Sequence, residues 1–194
     1  MYLKNYYYYF PKVLKPEFCD KIIEIGKEKA QQKAEIADKN LDLRNSTIAW
    51  MQDLWLYETI EPFIQQANVQ AGWNFEWMGS ESCQFTIYKE NQYYDWHQDS
   101  HYEPYNKPGT PEHNTIRKLS VTVSLEDGNA YEGGNLEFDL RNRDDSKSHI
   151  LSATEARAKG SIIVFPSFVW HRVTPVTKGT RYSLVIWSVG PPFK

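Results

Sequence analysis

From residue 73 onward this chain of 194 residues is a succession of short β-branched and aromatic runs separated by turn signals. Cys83-Gln84-Phe85-Thr86-Ile87-Tyr88 is one such run, and residues 93–98 form another. Residues 117–125 alternate cleanly. Leu119, Val121, Val123 and Leu125 fall on one face, and Ser120, Thr122 and Ser124 on the other, which is the period of a strand. Gly133-Gly134 marks a turn before the strand Asn135-Leu136-Glu137-Phe138. Ile162-Ile163-Val164-Phe165 reads as a buried strand that stops at Pro166. Residues 169–173 and 181–189 complete the set, with Lys178-Gly179 as the turn between them, and Phe75-Glu76-Trp77 alternates as a further short strand. Residues 102–114, rich in Pro, Gly, His and Asn, are loop, and the polar residues 141–159 are a long loop or excursion. Seven or eight short strands punctuated this way predict a sandwich or barrel-like sheet.

Residues 1–72 read differently. The aromatic run 6–10 predicts a strand packed on the domain. Lys15-Pro16-Glu17-Phe18-Cys19 starts a helix, with proline in the first turn. Phe18, Ile22, Ile25 and Lys29 keep helical spacing, Ile23 widens the face, and Gly26 weakens the helix without ending it. Residues 27–39 are its polar end and a solvated loop, and residues 43–50 a short strand. Leu54, Trp55, Tyr57, Ile60, Ile64 and Ala67 define a second helix, with Pro62 as a kink or break. The expected fold class is an all-β core with a helical cover (α+β). One domain is expected, with a helical N-terminal part over 1–72 and the β core over 73–194.

Composition narrows the function classes. The net charge is −3, so no global basic field attracts a phosphate backbone, and a nucleic-acid partner is not expected. Cys19 and Cys83 are far apart and form no zinc-thiolate spacing, which predicts two buried reduced thiols. The first residues lack the apolar core of a secretory signal, and no apolar run is long enough to span a bilayer. A reducing cytosol is the expected compartment, without a membrane partner.

The chemistry concentrates in Tyr94-Asp95-Trp96-His97-Gln98-Asp99 and in Val169-Trp170-His171-Arg172-Val173. Residues i and i+2 of a strand point to one face, so His97 and Asp99 can aim an imidazole and a carboxylate at one point. With His171 they supply two imidazoles and one carboxylate, the donor set of non-haem Fe(II) oxygenases. Arg181 opens the apolar strand Tyr182-Ser183-Leu184-Val185-Ile186-Trp187 and needs a carboxylate partner there. That partner is an internal Asp or Glu, or the carboxylate of a bound ligand. Taken singly, His97 and Asp99 also read as a turn cap and a loop start, and His171 as a satisfied core histidine. His101, His113 and His149 read as loop residues, His101 alternatively facing substrate, and Arg117 reads as a structural ion pair.

The order and spacing of these pieces resemble the Fe(II)/2-oxoglutarate-dependent dioxygenases, closest to the prolyl 4-hydroxylase-like catalytic domain. The resemblance rests on Tyr88, His97-Gln98-Asp99, the Gly133-Gly134-Asn135-Leu136-Glu137-Phe138 stretch and Gly160-Ser161-Ile162-Ile163-Val164-Phe165. It is strongest in His171-Arg172-Val173-Thr174-Pro175-Val176 followed by Gly179-Thr180-Arg181-Tyr182-Ser183-Leu184. Val13-Leu14-Lys15-Pro16-Glu17-Phe18-Cys19 also resembles the helix entry of this group. The resemblance implies a double-stranded β-helix (jelly roll) with iron at its mouth, held by His97, Asp99 and His171. It implies that Arg181, aided by Tyr88 and Ser183, binds the C5 carboxylate of 2-oxoglutarate. O2 would be the oxidant, ascorbate a reductant, and succinate and CO2 the by-products of hydroxylating an unactivated C–H bond. Related halogenases lack the carboxylate that Asp99 supplies, which favours hydroxylation. Tyr94, Trp96, Tyr102 and Tyr105 surround the motif, and aromatic grooves suit extended proline-rich peptides, so a prolyl residue of a peptide or protein is the expected substrate. The same chemistry on a small molecule such as a free amino acid, or on a modified nucleobase, and a non-catalytic metal-binding jelly roll are the alternatives. Residues 100–114 are the expected lid.

Overall fold

The structure is a computed structural model that describes residues 3, 5–32, 43–101, 103–140 and 149–193. Two antiparallel sheets face each other. The larger follows the order β1 (Tyr8–Phe10), β11 (Ile162–Pro166), β7 (Ile116–Ser124), β14 (Arg181–Gly190), β5 (Cys83–Tyr88) and β3 (Thr47–Met51). A short β4 (Gly79–Ser80) also pairs with β14. The smaller sheet follows β10 (Ile150–Ser152), β9 (Leu136–Asp139), β12 (Trp170–Val173), β6 (Tyr93–His97) and β2 (Arg44–Asn45). β8 (Tyr131–Gly133) and β13 (Val176–Gly179) form a separate two-stranded ribbon.

The helices α1 (Pro16–Gln32) and α2 (Leu54–Gln70) sit against the outer face of the larger sheet. Ile22, Leu56, Ile60 and Ile64 bury there among Leu119, Val121, Val123, Leu184 and Ile186. That is the apolar set of β7 and its neighbour. The other set of β7 does not meet solvent: Ser120 and Ser124 are buried against the smaller sheet's side of the molecule. Polar residues on this second face therefore line the space between the sheets, where a site can form. Both cysteines are free and buried.

Several local expectations need correction. Eleven strands follow α2 among the described residues, more than the seven or eight read from the pattern. The surplus comes from strands of two to four residues such as β4, β8, β10 and β13, too short to show a period. One of these, β10, falls in the stretch expected to be a long loop, whose residues 141–148 lie outside the described set. The segment Phe75-Glu76-Trp77 forms no strand. The Asn68 side chain takes both backbone groups of Phe75, accepting from its N–H at 2.9 Å and donating to its carbonyl at 2.9 Å, so none remains for a ladder. Lys178 and Gly179 end β13 rather than forming a free turn, and Thr180 alone separates them from β14. The helix α2 runs unbroken through Pro62. The predicted N-terminal strands do more than pack: β1 joins β11, β2 joins β6 and β3 joins β5, each extending a sheet. Residues 33–42, part of the expected solvated loop, lie outside the described set. Among the described residues no helix is long and apolar enough to cross a membrane.

Candidate active site

His97 at the end of β6 and His171 on β12 are direct cross-strand partners. Their ring centroids stand 4.1 Å apart. Each Nδ1 meets the backbone carbonyl two residues earlier, Asp95 at 2.7 Å for His97 and Val169 at 2.9 Å for His171. A carbonyl only accepts, so Nδ1 carries a proton, and in the neutral ring Nε2 keeps its lone pair. Both Nε2 atoms turn towards Asp99, at 3.6 Å from Oδ1 and 3.4 Å from Oδ2. Asp99 lies just past the strand, so period-two alternation alone does not aim it. Its backbone N–H donates to the Ser167 carbonyl at 2.9 Å, and its Oδ2 accepts from the Ser120 hydroxyl at 2.7 Å. Ser120 in turn meets the Ser167 hydroxyl at 2.9 Å.

The outcome is three acceptor groups whose ligand atoms all lie within 4.8 Å of one another. Lone pairs converging without a proton between them suit a cation, and two imidazoles plus a carboxylate suit Fe(II). Burial drives the His171 imidazole down to about 4, so at neutral pH it is unprotonated, the form that can coordinate metal. Burial pushes the Asp99 carboxyl up, but His171, His97 and the Ser120 hydroxyl outweigh it and hold the group well below the usual carboxylate range.

Arg181 shares the cavity with this cluster, together with Tyr88 and Ser183. It is 4% exposed, pairs across β14–β5 with Tyr88, and donates from Nη1 to the Ser183 hydroxyl at 3.1 Å. Its guanidinium stands 5.3 Å from the Tyr88 ring centroid. Among the described residues no carboxylate pairs with it, which disposes of the internal-partner reading there. Gly134 makes room for the side chain: it holds φ +58°, and a Cβ at that position would lie 3.1 Å from the Arg181 Cδ.

All six sequence-predicted residues thus border one cavity. Other expected neighbours do not. His101 is exposed. Arg117 grips Glu81 through two bonds of 2.9 and 2.7 Å, which matches the structural reading. Trp96 lies under the Arg172 guanidinium, away from the cavity, and Tyr105 donates to Glu81 at 2.8 Å. Tyr102 lies outside the described residues. Of the four aromatic residues expected around the motif, Tyr94 lines the cavity and stacks on His97 at 3.6 Å. Strand alternation would set residues three apart on opposite faces. A bulge between β6 and β12 brings both inward. Ser120 and Ser167 were not singled out from sequence. The signal for Ser120 was present in the polar face of β7.

A profile of the 2OG-Fe(II) oxygenase superfamily matches residues 83–189, more than half of the chain. A PKHD-type hydroxylase of Synechococcus sp. is 33% identical over 94 residues, 48% of this chain and 35% of that protein. The chain spans between about a quarter and two fifths of the length of such curated relatives. Among solved structures, a Pseudomonas putida prolyl-4-hydroxylase superposes with a TM-score of 0.68 at 18% identity, over 95% of this chain and 92% of that one. A Trichoplax adhaerens prolyl hydroxylase, solved with a peptide fragment of hypoxia inducible factor, gives 0.68 at 17%, over 95% and 84%. At such identities the likeness carries the fold, a double-stranded β-helix with two helices on its larger sheet. On the profile match, with the fold in agreement, the chain belongs to the 2OG-Fe(II) oxygenase superfamily.

Proposed function

We propose that this chain is a hydroxylase using Fe(II), 2-oxoglutarate and O2, and that its substrate is a prolyl residue of a peptide or protein. The observation that carries the reading is the pairing, in one cavity, of a three-acceptor cluster with a buried guanidinium that lacks a carboxylate. A metal site alone has no use for the second feature. His97, Asp99 and His171 hold the metal, and Arg181 grips the C5 carboxylate of 2-oxoglutarate, aided by Ser183 and Tyr88. When bound, the iron supplies oxidative decarboxylation of 2-oxoglutarate to succinate and CO2, coupled to hydroxylation of a C–H bond.

The chain's own residues do the positioning. The Asp95 and Val169 carbonyls fix both imidazole tautomers, and Ser120 orients the Asp99 carboxylate. The apolar walls Leu136, Phe165 and Val173 keep water from the cluster. The prolyl reading is supported by the prolyl hydroxylases that share the fold, one of them solved with a peptide. Fold alone does not select a substrate. The test is mass spectrometry of a proline-rich peptide and of free proline after incubation with Fe(II), 2-oxoglutarate and air. A one-oxygen gain on the peptide, matched by succinate, is the expected result. Succinate formation without oxidation of either probe sinks the prolyl assignment. A folded, metal-loaded protein that forms no succinate on any substrate sinks the oxygenase reading itself.

A further inference from the structure

A second arginine stands behind the cavity lining, against Gln84 and Tyr94, which form part of it. Arg44 on β2 pairs with Tyr94 on β6, so the two side chains share one face of the smaller sheet. Its guanidinium lies 4.8 Å from the Tyr94 ring centroid, and that ring stacks on His97 at 3.6 Å. Arg44 is therefore one aromatic ring removed from the cluster. Its Nη1 donates to Gln84 Oε1 at 3.2 Å, its Nε to the Ser46 hydroxyl at 2.7 Å, and its Nη2 lies 3.5 Å from the Thr86 hydroxyl. All three acceptors are neutral. They satisfy hydrogen bonds without neutralising the charge.

Among the described residues no carboxylate pairs with Arg44, whereas Arg117 is neutralised by Glu81. The charge balance of the proposed site sharpens the point. A divalent metal, the Asp99 carboxylate, the 2-oxoglutarate dianion and the Arg181 guanidinium cancel, and both histidines are neutral ligands. That balance leaves Arg44 without a counter-charge. We infer that Arg44, with Gln84 and the face of Tyr94, recognises a carboxylate on the substrate, a reading that rests on the proposed function. Beside it, Trp50 is the cross-strand partner of Gln84, is 38% exposed, and stands 6.2 Å from Trp187. These rings offer an apolar wall for the rest of the molecule. Both a free amino acid and a peptide chain end supply such a carboxylate.

The experiment uses protein loaded with Zn(II) and saturating 2-oxoglutarate, so that nothing turns over. Calorimetry compares L-proline with L-prolinamide, and a proline-rich peptide acid with its C-terminal amide. The acid of at least one pair binds tighter by about tenfold or more, as a charge-assisted bond requires. Preference in the small pair alone assigns a free amino acid, and preference in the peptide pair assigns a chain end. Arg44→Gln abolishes the preference, while Arg44→Lys, which keeps the charge but not the fork, retains part of it. Titration of 2-oxoglutarate is run first on each protein. Failure of 2-oxoglutarate to bind the metal-loaded wild type overturns the proposed function. Normal 2-oxoglutarate binding overturns the Arg44 inference alone if acids and amides bind equally, if no acid binds, or if Arg44→Gln keeps the preference.

Discussion

Each histidine of the cluster has one ring nitrogen committed to a backbone carbonyl, and that commitment frees the other for a metal. Asp99 is handled the same way by Ser120. Replacing that serine is the mildest way to test whether orientation matters. Ser120→Ala removes a hydroxyl but no ligand atom, and we expect metal affinity to fall by about tenfold or more in a protein that melts close to the wild type. Metal titration of both proteins checks it, and equal affinity would make Ser120 a packing residue only. His97, Asp99, His171 and Arg181 could be read together because their types are costly to bury without partners, and Ser183 and Tyr88 were found only through their places relative to Arg181 and the motif. A serine carries no such signature. Whether the Ser120 face of β7 meets solvent or a cavity depends on what covers it, and local sequence does not say. Tyr94 was hidden differently, because a bulge in β6 overrides the alternation that would have turned it away from His97.

At the scale of elements, the larger sheet works as a partition. One face of β7 and β14 takes the helices and the other forms the cavity wall, so packing of α1 bears on the geometry of the site. At Gly26 α1 lies close against β5. A Cβ added there would overlap the ring of Phe85, which is fully buried on β5. Helix propensity favours alanine over glycine by about 1 kcal/mol, but overpacking a rigid core costs about 1–3 kcal/mol. The overlap falls on the ring itself, so the second effect wins. Gly26→Ala is expected to lower the urea midpoint, corresponding to a net loss of up to about 2 kcal/mol. A raised midpoint would mean that α1 can lift off the sheet freely. The long elements α1, α2, β5, β7 and β14 were legible because each spans enough residues to show a period. The short strands were not, because ladder pairing with a distant neighbour defines them, and at Phe75 a side chain displaced the ladder altogether.

For the whole molecule, a buried acceptor cluster makes the metal-free protein sensitive to acid. In the unfolded chain His171 takes up a proton near pH 6.5, whereas the folded environment resists until about 4. Between those values the unfolded state binds more protons, so stability falls as pH falls. Asp99 acts in the same direction further down: its depressed carboxyl stabilises the fold above the ordinary carboxylate value and that stabilisation is lost below it. Denaturation of metal-free protein at pH 7 and pH 5 should differ by about 2 kcal/mol from His171. His171→Gln should remove most of that difference, and an unchanged pH dependence in the variant would contradict the assignment.

In the proposed function one cavity holds a metal at His97, Asp99 and His171 and a dicarboxylate at Arg181. The most direct measurement is anaerobic visible absorption after Fe(II) and then 2-oxoglutarate are added to the wild type, to Asp99→Ala and to Arg181→Ala. The wild type should show a weak charge-transfer band of chelated oxo-acid, weakened or lost in either variant. A folded, metal-loaded wild type that shows no band and binds no 2-oxoglutarate would contradict the proposed function.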